Sequence, residues 1–228
     1  MRPASVTFDL DGTLLDTAKD IFVACQRVLR EMGAPPRSEA EIRRFVGKGM
    51  DVLITRCLAW DAAPENEAVE EGMRLFKQFY REENGRAARP YPGVVEGLQA
   101  FAASGLPLAV VTNKRLSFTL PLLEQTGLAP YFQAIVCGDS TPFLKPHPEP
   151  ILHACRQLGV MPQANLHIGD SVNDALAARA AGCSVWLVPY GYTEGVPVKE
   201  SDADRLVGDF VEAFHLSGAP RSEAQAIE

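Results

Sequence analysis

The sequence lacks long hydrophobic runs, paired cysteines and an excess of positive charge. No stretch of about eighteen apolar residues occurs, and Asp9 and Asp11 interrupt the first hydrophobic segment, so neither a transmembrane helix nor a signal peptide is indicated. The five cysteines are scattered, odd in number and never spaced as Cys-x-x-Cys, which favours reduced, mostly buried thiols over disulfides or a zinc site. We therefore expect a cytoplasmic protein that does not associate with membranes.

The charge balance gives no support for a nucleic-acid partner. The chain has 22 Lys and Arg against 29 Asp and Glu, a formal net charge of -7, and its pI is about 5.2. A phosphorylated ligand would have to be attracted locally, by a bound metal, lysines or helix N-termini. With 228 residues, of which 46 % are hydrophobic, the chain is expected to form one core with a small accessory domain.

Short apolar runs alternate with segments of helical period, which predicts an α/β fold with a doubly wound, Rossmann-like parallel sheet. Ligands bind such sheets at the carboxyl ends of the strands, so polar residues that directly follow a strand are candidates for the site. The predicted strands are 4–10, 108–111, 134–136, 165–168 and 185–188, and the helices between the later strands are 94–103, 116–126, 149–158 and 174–181.

The first predicted strand ends in two aspartates, Asp9 and Asp11, which are followed directly by Gly12. Residues i and i+2 of a strand leave the same face, so both carboxylates project together where the glycine lets the chain turn. Like charges this close repel each other unless a cation or a proton lies between them. The pair therefore predicts either a divalent metal site or a carboxyl group with a raised pKa.

Three further polar motifs follow apolar runs or turn signals. They are Thr112-Asn113-Lys114, Lys145-Pro146-His147-Pro148, and Ile168-Gly169-Asp170-Ser171 with Asp174. Together with the string from Phe8 to Thr17, this ordered set resembles the four motifs of the haloacid dehalogenase superfamily of aspartyl phosphatases, and the resemblance covers nearly the whole chain. It implies a phosphatase that works through an aspartyl phosphate and uses Mg²⁺ as its cofactor.

The resemblance implies roles for five residues of the first three motifs. Asp9 would be the nucleophile, and Asp11 would protonate the leaving alkoxide and then deprotonate the attacking water. Thr112 and Asn113 would contact the phosphoryl oxygens. Lys145 would bind the phosphate and keep Asp9 ionised.

The fourth motif completes the metal site that the resemblance implies. Asp170, a carboxylate oxygen of Asp9 and the carbonyl of Asp11 would bind Mg²⁺, which prefers oxygen ligands. Asp174 and Ser171 would have supporting roles, with Asp174 holding either the motif lysine or a metal-bound water, or forming only a structural ion pair. The calcium loop of an EF-hand is excluded, because the glycine comes too early after the acids.

The stretch 17–90 is too long for a single crossover connection, and its pattern is helical throughout. It therefore predicts an inserted domain. The hinge at which the chain returns from the inserted domain to the core is expected in the segment 86–92, which contains Pro90 and Pro92. The predicted division is an α/β core of 1–16 and 91–216, a helical cap of 17–90, and a disordered tail of 217–228.

Within the predicted cap, Ser38 with Glu41 indicates a capping box at the start of a short helix. The triplet Gly47-Lys48-Gly49 then interrupts the helices, either as a helix–helix turn or as a loop that faces the substrate. The segment 46–56 resembles the cap of phosphoglycolate phosphatases, which implies that this loop reaches over the site. Gly47, Lys48 and Arg56 are therefore candidate substrate-binding residues, the last two for a substrate carboxylate.

A Tyr-Gly-Tyr stretch at residues 190–192 strengthens the similarity to phosphoglycolate phosphatases, which implies hydrolysis of the small phosphorylated substrate 2-phosphoglycolate. A sugar-phosphate phosphatase or mutase on the same scaffold is the alternative within the superfamily. A receiver-like signalling module that holds a phospho-aspartate is the alternative outside it, disfavoured by Asp11 and by the insertion. His147 and His167 are interpreted as a turn residue and a packed, hydrogen-bonded residue. Whether the protein is a monomer or a homodimer is left open.

Overall fold

The computed structural model describes residues 2–220, which form an α/β fold with helices on both faces of a β-sheet. Its strands are β1 (Ser5–Phe8), β2 (Leu15–Asp16), β3 (Arg89–Pro90), β4 (Leu108–Val111), β5 (Ala134–Val136), β6 (Asn165–Gly169), β7 (Ser184–Leu187) and β8 (Arg205–Leu206). Its helices are α1 (Ala18–Glu31), α2 (Glu39–Phe45), α3 (Met50–Leu58), α4 (Asn66–Glu83), α5 (Val94–Ala103), α6 (Leu116–Gln125), α7 (Glu149–Leu158), α8 (Val172–Ala181) and α9 (Phe210–Ser217).

Six strands form one parallel sheet in the order β5-β4-β1-β6-β7-β8. Strand β1 lies between β4 and β6, with Val6 paired to Leu108 on one side and to Leu166 on the other. The chain leaves β1 towards β4 and β5 and later returns to β6, so the strand order reverses beside β1. This is the switch point at which parallel sheets bind ligands, and the predicted fold class is confirmed.

The strand and helix bounds follow the hydrophobic pattern closely, with differences at the ends of β1 and α8. Strand β1 ends at Phe8 rather than at residue 10, because Leu10 accepts backbone bonds from Thr13, Leu14 and Leu15 in a turn that contains Gly12 (φ 91°). Helix α8 begins at Val172, two residues earlier than predicted, because Ser171 rather than Asp174 is the N-cap.

Helices α1 to α4 pack around a hydrophobic cluster of their own, which also includes Phe118 and Tyr192 from outside the four helices. The predicted capping box is confirmed, since the Ser38 hydroxyl accepts from Glu41 N–H and the Glu41 carboxylate accepts from Ser38 N–H. Strands β2 and β3 pair antiparallel at the two ends of this segment, which the sequence did not predict. The proposed division into domains stays a prediction.

The interpretation of the cysteines is confirmed, since all five are buried and free. Among residues 2–220, no helix has both the length and the apolar character needed to cross a membrane, and the cytoplasmic location stays a prediction. Ser217, which we placed in a disordered tail, is instead the last residue of α9, where its hydroxyl donates to the Phe214 carbonyl. Residues 221–228 of that tail lie outside the described part of the chain.

One buried carboxylate holds the two ends of the four-helix segment together. Asp20, on the first turn of α1, is 2 % exposed and accepts hydrogen bonds from three backbone N–H groups. The donors are Gly85 (3.0 Å), Ala87 (2.8 Å) and Ala88 (3.1 Å), which connect α4 to β3. Asp20 therefore fixes the path by which the chain returns to the sheet.

We expect Asp20→Ala to lower the free energy of unfolding by at least about 2 kcal/mol, because it leaves three backbone donors without their acceptor. Urea unfolding followed by circular dichroism measures the loss. The exposed Asp61→Ala is the matched control and is expected to change stability by less than about 1 kcal/mol. Equal stability of the two variants would contradict this role for Asp20.

Candidate active site

The carboxyl ends of three adjacent strands bring the sequence-predicted residues into one cleft. Asp9 and Asp11 follow β1, Thr112 follows β4, and Asp170 follows β6. Asp9 continues the ladder by donating its N–H to the Ile168 carbonyl (2.9 Å), while Thr112 donates to the Val136 carbonyl (2.9 Å). The backbone of the sheet itself therefore sets the positions from which these side chains project.

Lys145, in the loop between β5 and α7, lies at the centre of the charged groups. Its ammonium donates to Asp9 Oδ1, Asp174 Oδ1 and the Val111 carbonyl, each at 2.7 Å, and its side chain is only 3 % exposed. All three N–H donors are therefore used. The contact of Asp174 with Lys145 agrees both with the predicted supporting role and with a purely structural ion pair, so that role stays a prediction.

Asp174 also organises the start of α8. Its second oxygen, Oδ2, accepts from the Ser171 hydroxyl (2.6 Å), from Ser171 N–H (3.2 Å) and from Asp170 N–H (3.3 Å). Ser171 in turn accepts from Asp174 N–H as the N-cap. The predicted supporting pair thus forms a reciprocal capping box that orients both Lys145 and the backbone of Asp170.

Asp170 is buried beside the nucleophile candidate and is held at both oxygens. Oδ1 accepts from the Thr13 hydroxyl (3.1 Å) and Oδ2 from the Tyr192 N–H (2.7 Å). Gly12 and Gly191 approach so closely that a Cβ at either position would collide with its carboxylate. Carboxylate oxygens of Asp9, Asp170 and Asp174 lie within 4.8 Å of one another.

The electrostatics of this cluster are set by burial and by the lysine. Burial raises the pKa of Asp9 to about 7 against the opposing effect of Lys145, and burial together with the neighbouring acids raises the pKa of Asp170. Despite its burial, the pKa of Asp174 is held well below its usual range by Lys145 and His167. Lys145 therefore opposes the effect of burial on the pKa of Asp9, and its role of keeping Asp9 ionised stays a prediction.

Asn113 connects two loops rather than presenting a free amide. Its Oδ1 accepts from Lys145 N–H (2.9 Å), and its Nδ2 donates to the carbonyls of Lys145 and Gly47, both at 2.9 Å. Gly47 therefore reaches the site, in agreement with the loop that faces the substrate. Both amide hydrogens are engaged with backbone, so a direct contact of Asn113 with substrate stays a prediction without support from this geometry.

The two predicted cap cations do not line the same cleft as the acids. The cleft, of about 600 Å³, is lined by Asp9, Asp11, Thr112 and Gly47 together with apolar side chains of α1, α3 and α4. Lys48 lines a neighbouring depression with Asn113 and Leu144. Arg56 lies on the second turn of α3, with Nη1 3.5 Å from the Arg44 carbonyl, and is absent from the residues that line the described cavities.

Lys114 is a charged residue of the cleft to which we assigned no role from the sequence. Its ammonium donates to both oxygens of Asp11, at 2.7 and 2.8 Å, and its side chain is 6 % exposed. The Thr17 hydroxyl also donates to Asp11 Oδ1 (2.6 Å). The available signal was its position directly after Thr112-Asn113, since polar residues that follow a strand lie at the ligand-binding edge.

The two histidines near the motifs behave as predicted. His167 is fully buried, with Nδ1 2.9 Å from the Thr7 hydroxyl and Nε2 3.2 Å from Asp174 Oδ1, and burial lowers its pKa. His147 lies in the turn before α7, where its ring stacks on Phe143 and its Nδ1 accepts from Glu149 N–H.

A parallel sheet with acids and lysines gathered at its switch point has a ligand-binding site in which a carboxylate, Asp9, lies against a buried cation, Lys145. The model of the haloacid dehalogenase-like hydrolases matches residues 6–188, and the chain belongs to this family. The family assignment rules out the receiver-like alternative, and the predicted enzyme class, a phosphoric monoester hydrolase, is confirmed.

Relatives of similar length and sequence support the same class. A phosphoglycolate phosphatase of Thiobacillus denitrificans is 47 % identical over 92 % of this chain and 93 % of its own, and one of Nitrosospira multiformis is 45 % identical over 93 % and 94 %. A crystal structure from Haemophilus somnus, described as a predicted phosphoglycolate phosphatase, superposes with a TM-score of 0.90 at 33 % identity and covers 95 % of this chain and 99 % of its own.

We expect Asp174→Ala to lower the free energy of unfolding by about 3–5 kcal/mol, because it leaves the Lys145 charge buried with one partner fewer. Ser171→Ala removes only the N-cap hydroxyl of the same helix and is expected to cost about 1 kcal/mol. Urea unfolding of both variants gives the comparison. If Asp174→Ala costs no more than Ser171→Ala, its contact with Lys145 does not contribute to stability.

Proposed function

We propose that this enzyme hydrolyses 2-phosphoglycolate to glycolate and phosphate through a phosphorylated Asp9. The observation that carries the proposal is the placement of Asp9 against Lys145 in a cleft that also contains Asp11. One carboxylate is thus paired with a buried cation, and a second projects from the same strand end. The names of the relatives support the proposed substrate, since the two relatives described above match nearly the whole chain and are named phosphoglycolate phosphatases.

Asp9 is the proposed nucleophile because one of its oxygens is held in place and a cation lies beside the position expected for the phosphoryl group. Lys145 holds Asp9 Oδ1, and the same ammonium lies where it would offset negative charge on the transferred group. Thr112, buried at the end of β4, would donate its hydroxyl to a phosphoryl oxygen. Attack of Asp9 on phosphorus breaks the bond to the ester oxygen and forms an aspartyl phosphate.

Asp11 is the proposed general acid and base. It would give a proton to the departing ester oxygen, and it would then take a proton from the water that attacks the aspartyl phosphate. Lys114 and Thr17 orient its carboxyl group by donating hydrogen bonds to its oxygens. This orientation is needed because proton transfer requires the carboxyl oxygen within hydrogen-bond distance of the ester oxygen.

The donor set fits a magnesium ion. Asp9 and Asp170 supply hard carboxylate oxygens, and the glycines beside Asp170 leave its carboxylate room in a tightly enclosed site. With His167 neutral and all other groups ionised, the charged groups of the site have a net charge of -2. They are the four aspartates Asp9, Asp11, Asp170 and Asp174 and the two lysines Lys114 and Lys145. Bound there, with the Asp11 carbonyl as the third protein ligand that we propose, Mg²⁺ would offset the charge of the phosphoryl group.

A substrate profile with and without Mg²⁺ tests the proposed reaction. We expect the highest kcat/KM for 2-phosphoglycolate, lower values for hexose phosphates, nucleotides and pyrophosphate, and activity only with Mg²⁺. Asp9→Asn is expected to lower kcat by about 10⁴-fold or more, because an amide cannot attack phosphorus. The exposed Asp51→Asn serves as the matched control.

Each part of the proposal has its own contrary outcome in this profile. Equal or higher rates on hexose phosphates would replace the proposed substrate with a sugar phosphate. Activity retained by Asp9→Asn, with the circular dichroism spectrum unchanged, would remove Asp9 from its role.

We expect Mg²⁺ to raise the Tm of the protein, and to do so more strongly as the pH rises from 6 to 8. The pKa of Asp9 is about 7 and that of Asp170 is also raised, so protons compete with the ion at low pH. Without metal, stability should instead fall as the pH rises from about 4 to 7, since the unfolded chain releases these protons first. Differential scanning fluorimetry across this range measures both trends.

Asp170→Asn is the control for metal binding, because it removes one proposed ligand and leaves Asp9 in place. Its Tm should respond weakly to Mg²⁺ at every pH. A shift that is independent of pH, or that persists fully in this variant, would contradict the proposed site.

A further inference from the structure

Lys114 occupies a position in the cleft that bears on the choice of substrate. It is the third residue after β4, it lines the cleft with Asp9 and Asp11, and its ammonium lies against Asp11. An ammonium has three N–H donors; two contact Asp11, and the Tyr80 side chain is a hydrogen-bond neighbour of the same ammonium.

Tyr80 provides a second, independent observation at the same place. It projects from α4, is 2 % exposed and lines the same cleft, with its ring centroid 5.0 Å from Lys114 Nζ. Within the described part of the chain, no acceptor is present for its buried hydroxyl. Buried hydroxyl groups rarely remain without an acceptor, so the Tyr80 hydroxyl is available to an acceptor that enters the cleft. Phe76 and Phe118 pack on the ring and fix its position.

The chemistry of the substrate connects these two groups with Asp11. Proton transfer places the ester oxygen beside the Asp11 carboxyl group. In a phosphorylated 2-hydroxy acid the carboxylate carbon is only two bonds of about 1.5 Å from that oxygen. A group that already contacts Asp11 is therefore within reach of the substrate carboxylate, whereas a cation on another part of the surface is not.

The other candidate cations are less suitable on geometric grounds. Arg115 also lines the cleft, but its side chain is 45 % exposed and lies 3.6 Å from Asp139, at the rim. Lys48 lines the neighbouring depression, and Arg56 points towards the Arg44 carbonyl. Lys114 lines the cleft and is buried, whereas Lys145, the other buried lysine, already donates to three acceptors. A charge interaction is strongest where water is excluded.

We propose that the Lys114 ammonium and the Tyr80 hydroxyl bind the carboxylate of the substrate and thereby select phosphorylated 2-hydroxy acids over other small phosphate esters. The proposal rests on the proposed function, because the position of the ester oxygen is inferred from the proposed acid–base role of Asp11. It assigns specificity jointly to the sheet, through Lys114, and to helix α4, through Tyr80. Neither residue is required to react.

Two substrates that differ only in the carboxylate test this assignment. Ethyl phosphate has the shape of 2-phosphoglycolate with a methyl group in place of the carboxylate, so the ratio of kcat/KM for the two isolates that group. We expect Lys114→Met to lower this ratio by about 100-fold, because it removes the cationic partner of a buried anion. Tyr80→Phe, which removes only the hydroxyl, should lower it by about 10-fold.

The ratio separates substrate recognition from the effect of Lys114 on Asp11, which acts on both substrates alike. Lys114→Arg keeps the charge and should retain most of the preference. Lys19→Met, on the exposed face of α1, and Tyr131→Phe, outside the cleft, are the matched controls and should leave the ratio unchanged. If Lys114→Met does not fold by circular dichroism, Lys114→Arg and Tyr80→Phe decide the question.

The contrary outcomes are distinct from failure of the proposed function. Equal losses on both substrates in Lys114→Met, with an unchanged ratio in Tyr80→Phe, would overturn the carboxylate site and leave the phosphatase reaction intact. A wild-type enzyme with no preference for 2-phosphoglycolate over ethyl phosphate would also overturn it. A wild-type enzyme that hydrolyses neither ester would instead contradict the proposed function.

Discussion

The interaction on which the site depends is the contact of the Lys145 ammonium with Asp9, Asp174 and the Val111 carbonyl. These partners come from three different parts of the sheet edge, so one side chain sets the spacing between β1, β4 and α8. Burying an ammonium is costly unless every N–H group is satisfied, and here each has an acceptor at 2.7 Å. The same contacts that make the lysine tolerable in the interior also direct its charge at the nucleophile candidate.

The acids around Lys145 differ in charge state although they share a site. Asp174 remains ionised through Lys145 and His167, while burial keeps the pKa of Asp9 near neutrality and raises that of Asp170. A divalent cation would resolve this imbalance by replacing protons at the two raised carboxyl groups. The proposed ion would therefore compensate for the effect of burial, and the glycines around Asp170 maintain that burial by allowing the backbone to approach.

The positions of groups that the backbone determines could be predicted from the sequence. The positions of long side chains and of distant loops could be predicted less well. Asp9, Thr112 and Asp170 could be placed because each directly follows a strand, and the ends of parallel strands meet at one edge. Lys114 could not be assigned, because the direction of a flexible side chain depends on a partner, Asp11, 103 residues away. Arg56 was proposed from a similarity of sequence alone, and it is not among the residues that line the described cavities.

The two-residue pairing of β2 with β3 has a consequence for how this enzyme could diversify. Leu15 and Pro90 lie opposite each other, so the chain leaves the sheet and returns to it at nearly the same point. An insertion whose ends are adjacent can lengthen, shorten or be exchanged at little entropic cost to the remainder of the fold. New substrate preferences could therefore evolve by recombination at this narrow junction, while the residues at the strand ends keep their reaction unchanged.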